Sequence, residues 1–456
     1  MKKLIKTLFG ITLLSIPLFA NFSCAIFGYT EIENADQFMA MKEGGSYKLV
    51  NDINLAGKTI DPVKVANFDG DGHRVFGAIV GSKRMYNSYN SSENMISSFF
   101  YEADSIKNVT FDKISLTSTN VESSSIVGYK CKNYENVTVK NSSIVATFEK
   151  NASLVLGSTF SGLGVGAIEG MVAKSIVNCH IEKTKITLNN SGYYGSNVGG
   201  IVGETVGNQV FKTLSNCSAK DITITVNSSN ADANVGGIAG WVYTYGKNEV
   251  IENLRVEGAE IKVKGDETIQ MGGVIGFATV SNNITPNYKI NYLVTKDSVI
   301  AGECNTSDGR LRTGGSIGYA SDSNEVSDVL VQNTEISQCG TAKNGCSGGV
   351  VGKSEKTLKR LVSNNNQVSS LNSYAGGLLG GGSVAVNNSF VNGFSSSCNL
   401  YSGDETTMMN NCYYKDSNCE QMEDATELGD NESIITKIGL DSSKWSLKDG
   451  LFDIEF

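Results

Sequence analysis

Histidine occurs twice in these 456 residues, tryptophan twice and proline three times. With only His73 and His180, far apart, a His-Glu-x-x-His zinc site is excluded by count. Ser/His/Asp catalysis would have to use one of the same two, and His180 falls in a repeated strand-like segment, where a strand residue is the simpler role. Few prolines and 19% charged residues argue against a disordered chain. Beyond residue 25 no apolar run approaches the ~20 residues of a membrane-spanning helix.

The first 25 residues read as a secretory leader. Lys2, Lys3 and Lys6 form its basic start, Leu8 to Phe19 its apolar core, and Ser23-Cys24-Ala25 a small-x-small cleavage site. Lipid attachment at Cys24 is the alternative, although Asn21-Phe22-Ser23 is a poor lipid-attachment signal. Removing the leader takes away three lysines and no acid, which moves the net charge from −9 to −12. That balance argues against nucleic acid and anionic membrane surfaces as partners. The other nine cysteines of an exported chain can pair, with Cys339–Cys346 and Cys412–Cys419 close enough for local bridges and Cys179 and Cys217 either a disulfide or two stacked thiols. The odd count leaves at least one thiol outside any internal bridge.

What the chain has in abundance is glycine, 50 in all, and it is patterned. Gly199-Gly200-Ile201-Val202-Gly203 returns as Gly236-Gly237-Ile238-Ala239-Gly240 and Gly272-Gly273-Val274-Ile275-Gly276. Gly314-Gly315-Ser316-Ile317-Gly318, Gly348-Gly349-Val350-Val351-Gly352 and Gly376-Gly377-Leu378-Leu379-Gly380 complete the set. Weaker copies stand upstream at Gly166-Ala167-Ile168-Glu169-Gly170, Ser124-Ser125-Ile126-Val127-Gly128 and Ser97-Ser98-Phe99-Phe100-Tyr101. Units recurring every 28 to 42 residues are stacked supersecondary units, none able to bury its own apolar face. The apolar run is too short for a helix and favours a strand, and glycine on each side suits a backbone that turns sharply close to a neighbour.

A second mark follows each unit: Asn108, Asn136, Asn178, Asn216 and Asn253 each open a short strand, as in Asn178-Cys179-His180-Ile181. Tyr292, Asp328 and Arg360 then take that place before Asn388 restores it. Residues stacked about 4.8 Å apart would form a buried column bonding amide to amide. These features predict an all-β fold, a right-handed parallel β-helix of about nine coils with short terminal capping helices, the hand following from the crossover rule. Asn34-Ala35-Asp36-Gln37 is a capping box for a helix covering the first coil. Asp430 or Asn431 would start a second helix carrying Ile434, Ile435 and Ile438, with Trp445 and Phe452 over the last coil.

The Gly-Gly-apolar-apolar-Gly run followed by Asn-Cys resembles the GLUG repeat of bacterial secreted and surface proteins. The flanks match as well, with Tyr47 to Leu55 and Phe68-Asp69-Gly70-Asp71-Gly72 ahead and Asn411-Cys412-Tyr413-Tyr414 behind. The resemblance implies a leader at 1–25, a cap at 26–64, repeats over 65–400 and a closing segment at 401–456. It is specific for fold and poor for function, since such repeats occur in adhesin-like proteins and beside protease domains.

Candidate sites are few. Asn67-x-Asp69-x-Asp71-Gly72 starts like a calcium loop, but Ala78 stands where the bidentate Glu belongs, and a Gly-rich turn explains the run better. Gly162-x-Gly164-x-Gly166 lacks the next glycine and helix of a dinucleotide loop. The acids between Asp404 and Glu432 form a solvated surface or a cation site. More pointed is the residue just after the closing glycine: Trp241, Phe277 and Tyr319 in three consecutive coils, with Tyr129 in the same place earlier. Tyr243 and Tyr245 alternate with Trp241 on one face of an extended segment. These five residues are either a ligand site for a glycan or protein partner or a packed ladder within the solenoid. Two function classes follow, a non-catalytic adhesin-like or structural protein without cofactor or metal, and a β-helix polysaccharide lyase or glycosidase. The second needs paired acids in adjacent coils, and no such set shows in the sequence.

Overall fold

The computed structural model describes residues 28–87, 92–150, 162–171, 173–205, 211–245, 248–280, 288–321, 325–370, 374–393, 407–417, 425–429 and 433–456. The chain winds as a parallel β-helix. One coil is a set of four strands, Thr213–Lys220, Thr223–Ser228, Ala233–Gly236 and Ala239–Thr244, and the next coil repeats them one strand spacing along. The second strand of the coil belongs to a sheet of ten, from Thr59–Ile60 to Gln367–Ser370. At one strand spacing per coil that stack is roughly 45 Å long.

Inward positions carry the core. Ile144, Ile186, Ile224, Ile261, Ile300 and Ile336 stand in one register column of the second sheet, all buried. The motif residues stack as well: Ile201 donates its N–H to Ile238, Ile238 to Val274, and Val274 to Ser316, at 2.8–3.0 Å. The glycine next to them is required by proximity. A Cβ at Gly237 would overlap the carbonyl oxygen of Gly273 in the next coil and come within 3.0 Å of Val256. No positive φ is involved at these motif glycines.

The asparagine column does something other than expected. Asn136, Asn178 and Asn216 are exposed and Asn108 and Asn253 half-buried. Amide bonds do run along it, from Asn136 to Asn108 at 2.8 Å and from Asn253 to Asn216 at 2.8 Å. What the position demands is a left-handed backbone, with φ between 51° and 57° from Asn108 to Asn411. Asn adopts that region most readily after Gly. Tyr292, Asp328, Arg360 and Asn388 share it at 55°, 57°, 51° and 52°, which places the irregular coils in register. A second left-handed column lies five residues on, at Lys113, Asn141, Lys183, Asp221, Gly258, Asp297, Asn333, Asn365, Gly393 and Asp416. The two columns bracket four residues such as Cys217 to Lys220, the second half of the strand Thr213–Lys220, and turn the chain at both ends.

The first cap is as expected. Asn34 accepts the Gln37 N–H, Gln37 accepts the Glu33 N–H, and the helix Ala35–Met39 drops Phe38 onto Phe68 and Phe99. Parallel pairing already includes Thr30–Ile32 and Ser46–Leu49. The far end differs. A short helix, Ile434–Lys437, follows Ser433, and Asp430 and Asn431 lie outside the described residues. Trp445 and Phe452 belong to an antiparallel hairpin, Trp445–Lys448 with Leu451–Ile454, that lies along the flank of the stack rather than over its end. It covers the outward column Val294, Leu330, Val362 and Phe390. Asp453 binds Arg255 at 2.9 Å and Lys296 at 2.8 Å, and the Phe452 N–H donates to Gln332 at 2.8 Å. The hairpin therefore ties several coils together.

Cys179 and Cys217 are stacked, buried free thiols. Cys339 and Cys346 are not bridged to each other, while Cys398 and Cys419 lie outside the described residues, as do the leader and Cys24. Among the described residues no helix is long and apolar enough to cross a membrane.

Gly237→Val is expected to cost about 3 kcal/mol, because backbone of the next coil must move. A thermal melt several degrees lower than wild type checks it, and an unchanged melt would remove close approach as the reason for the motif.

Candidate functional site: a groove between two outer columns

The glycine motif folds the third strand of each coil sharply back onto the fourth. A Cβ at Gly236 would overlap the carbonyl oxygen of Ala239, and one at Gly240 would sit 2.5 Å from the Val198 N–H nitrogen. The pairing also skips the closing glycine, running Ala239 with Ile275 and then Trp241 with Phe277. Ala239 and Val242 point into the core, and Trp241 and Tyr243 point out.

Two outward columns therefore meet at a concave surface. The third strand supplies Asn197, Asn234, Gln270 and Arg312 in register. The fourth supplies Glu204, Trp241, Phe277, Tyr319 and Lys353. They touch across the groove: Asn197 donates to Glu204 at 2.5 Å, and the Arg312 guanidinium lies 4.0 Å from the Tyr319 ring centre. A cleft of about 400 Å³ opens between them, lined by Asn197, Asn234, Gln270, Trp241 and Phe277, with Tyr193, Asp232 and Glu267 on its rim.

The five aromatics singled out in the sequence are brought together. Trp241 stacks on Phe277 at 5.7 Å and 15°, and Phe277 on Tyr319 at 5.2 Å and 5°. Tyr243 meets Trp241 edge-on at 5.8 Å, and Tyr245 meets Tyr243 at 5.4 Å. Trp241 and Phe277 are half-buried and Tyr319 is 8% exposed. The ladder is thus packed ring on ring and also forms a wall of the cleft. Tyr129 is one register place off this column, since Gly128 pairs with Glu169 and the column residue of that coil is Met171. The amide column was missed in the sequence. Its signal is the residue two places ahead of each motif: Asn197, Asn234, Gln270 and Arg312. Three polar atoms here are buried without a partner among the described residues: Asn234 Oδ1, Gln270 Oε1 and the Trp241 indole nitrogen.

At the N-terminal end of the groove acids gather that the sequence did not place together. Tyr129 senses Glu122, Glu169 and Glu204, and its hydroxyl donates to Glu122 at 3.3 Å. Glu169 accepts from the Tyr134 hydroxyl at 2.7 Å and from the Met171 and Cys131 N–H groups at 3.0 and 3.2 Å. All three carboxylates are at most 1% exposed. Burial pushes the Glu169 carboxyl well above the usual range and the Lys130 ammonium down.

Most of the acids between Asp404 and Glu432 lie outside the described residues, and the remaining candidates resolve into structure. His180 bonds Ser218 at 2.8 Å and Asn178 at 3.0 Å on the outer face. Asp69 accepts the Asp71 N–H, and Asp71 pairs with Lys48 at 2.9 Å, in a turn with left-handed Asp71 and Gly72. Gly162–Gly166 is a strand of the third sheet. Among the described residues no cluster of His, Cys, Asp and Glu is arranged to hold a metal.

No family model and no curated protein matches the chain. Solved structures similar to it include a putative immunoglobulin A1 protease from Bacteroides ovatus, 16% identical over 94% of this chain and 92% of that one, with a TM-score of 0.34. Another is a tailspike protein of E. coli bacteriophage HK620 in complex with a pentasaccharide, 10% identical over 90% and 72%, at 0.38. A third is a family 28 exopolygalacturonase of Yersinia enterocolitica, 10% identical over 86% and 72%, at 0.24. These values leave the fold resting on the strand register described above.

Glu169 provides a pH test. A carboxyl raised in the folded state holds its proton there more tightly than when unfolded, so its contribution is full below the ordinary carboxylate range and is lost as pH rises toward the folded value. Glu169→Gln keeps an acceptor for the Met171 N–H and removes the titration. Its melting temperature is expected to match wild type near pH 4 and to exceed it at pH 8. Parallel pH profiles for the two proteins would show that Glu169 does not titrate this way.

Proposed function

We propose that the chain is a secreted or cell-surface β-helix protein that binds an extended glycan in the groove beside Trp241, Phe277 and Tyr319, without transforming it. The GLUG-like repeats and the leader support an exported, adhesin-like role. The observation that carries the binding reading is the pairing of a parallel ring ladder with an amide column across one cleft. Sugar rings present apolar C–H faces to aromatic rings and hydroxyls at their edges. The ladder offers the first contact with little rotamer entropy to lose. Asn234, Gln270 and the Trp241 indole offer the second, and each holds a polar atom with no partner among the described residues. The residues repeat once per coil, which suits a ligand that is itself a chain.

The catalytic alternative, a lyase or glycosidase, draws on Asp232 and Glu267, acids in successive coils at the rim of the same cleft. Asp232 is engaged in capping a turn, accepting the Thr268 N–H at 3.1 Å.

A glycan array followed by titration of the best ligand tests the reading. Trp241→Ala is expected to weaken binding by at least about 30-fold, the size of an interface hot spot. Because Trp241 is half-buried, the melt should fall by less than for a fully buried Trp, whose loss costs about 3–5 kcal/mol. Unchanged affinity in that variant would sink the site. New reducing ends or unsaturated products, lost on Asp232→Asn or Glu267→Gln, would favour the enzyme instead.

A further inference from the structure

Arg312 differs from Arg74, Arg255 and Arg360, each of which holds a carboxylate. Arg74 binds Asp52 at 2.7 Å, Arg255 binds Glu257 at 2.7 Å and Asp453 at 2.9 Å, and Arg360 binds Asp328 at 2.6 Å. Arg312 has no carboxylate within ion-pair distance among the described residues, although it is only 7% exposed. Its guanidinium lies 4.0 Å over the Tyr319 ring. An acid that it senses, Glu355, accepts from the Tyr319 hydroxyl. Lys353 follows one coil on in the facing column, half-buried, with its ammonium 5.7 Å from the same ring.

Burying a cation without an anion is costly, and cation–π contact offsets part of that cost. A guanidinium centred over a ring face retains N–H groups at its edge that suit a two-oxygen acceptor. The location decides what that acceptor belongs to. Arg312 continues the amide column Asn197, Asn234 and Gln270, and Tyr319 continues the ring ladder from Trp241 and Phe277. The groove thus passes from neutral amides and rings to a basic end. Asp232 and Glu267 are exposed on the rim beside Trp241 and Phe277, two coils and one coil before Arg312 respectively. They repel an anion placed there. A uniformly charged polyanion therefore fits poorly, and a chain with one anionic unit at the Arg312 end fits well.

We propose that Arg312 and Lys353 form a subsite for an anionic substituent, a sugar-borne carboxylate or sulfate, at one end of the groove. This rests on the groove being the glycan-binding surface. Desolvation holding the Arg312 guanidinium below its ordinary range agrees with a cation that lacks its counter-ion.

Two measurements on the full chain separate this proposal from the one beneath it. The first uses simple anions and no glycan: melts in sodium glucuronate or sodium sulfate against sodium chloride at matched ionic strength. Wild type should gain several degrees in at least one anion, and Arg312→Gln should lose that gain. A preference for one of the two tells carboxylate from sulfate. Equal shifts in wild type and variant overturn the subsite whatever the groove binds. The second compares a neutral oligosaccharide with its uronate-bearing and sulfated counterparts. Arg312→Gln should weaken an acidic ligand roughly 10- to 100-fold and leave the neutral one unchanged. Trp241→Ala should weaken both. Equal loss for neutral and acidic ligands in Arg312→Gln overturns the subsite. Loss confined to Arg312→Gln, with Trp241→Ala silent, keeps the anion site and removes the ring ladder from the function. Lys353→Gln, a half-buried position, repeats each arm should Arg312→Gln fail to fold.

Discussion

Backbone meeting backbone at the motif glycines is the constraint on which the rest depends. At Gly200, Gly237, Gly273, Gly315 and Gly349 an added Cβ would overlap the carbonyl oxygen of the next coil. At Gly199, Gly236, Gly272, Gly314 and Gly348 it would overlap a carbonyl oxygen of the same coil, across the fold. One set keeps the coils at strand spacing, and the other closes the third strand onto the fourth. Remove the second kind of contact and the two sheets open. The columns Asn234–Gln270 and Trp241–Phe277 then no longer face each other. The residues that make the fold regular are also those that make it concave.

The repeating unit was legible in the sequence because a backbone contact admits one residue type. The left-handed corners were legible only in part. A column at φ near 54° favours Asn but tolerates others at about 1–2 kcal/mol each. Asn therefore recurs at 108, 136, 178, 216 and 253, and then gives way to Tyr292, Asp328 and Arg360. The last two compensate each other, since Arg360 binds Asp328 in the adjacent coil with two bonds of 2.6–2.8 Å. The second left-handed column was invisible because Lys, Asn, Asp and Gly share it without any one dominating. Asn was located correctly but explained wrongly. Its amide ladder exists, yet an exposed amide bond exchanges with water at little net gain, whereas the backbone requirement is there in every coil.

The C-terminal hairpin shows a different limit. Outward positions of the short strand read His180, Ser218 and Arg255, then Val294, Leu330, Val362 and Phe390. That change from polar to apolar marks where something covers the flank. It was obscured because four residues between two corners offer only two outward residues per coil, too few for alternation to stand out. Trp445 and Phe452 signalled a cover but not its place. Register supplies the place, since only stacking shows that residues 28 to 36 positions apart form one apolar strip.

The same reasoning separates what stabilises the molecule from what it binds. Inner columns are held by packing, and Ile recurs there six times in succession in the second sheet. Outer columns are released from packing, so their composition answers to other demands. Along the groove it changes systematically, from the sealed glutamates through amides facing stacked rings to Arg312 and Lys353. A stack selected for stability alone would fill that concave face with aliphatic pairs. It would not bury a guanidinium that has no carboxylate among the described residues, nor Asn234, Gln270 and Trp241 atoms that find no partner there. Each of these departures costs folding free energy, and they fall in neighbouring coils on one surface. Their common place is what turns a ladder of rings, unremarkable in a solenoid, into a candidate binding site.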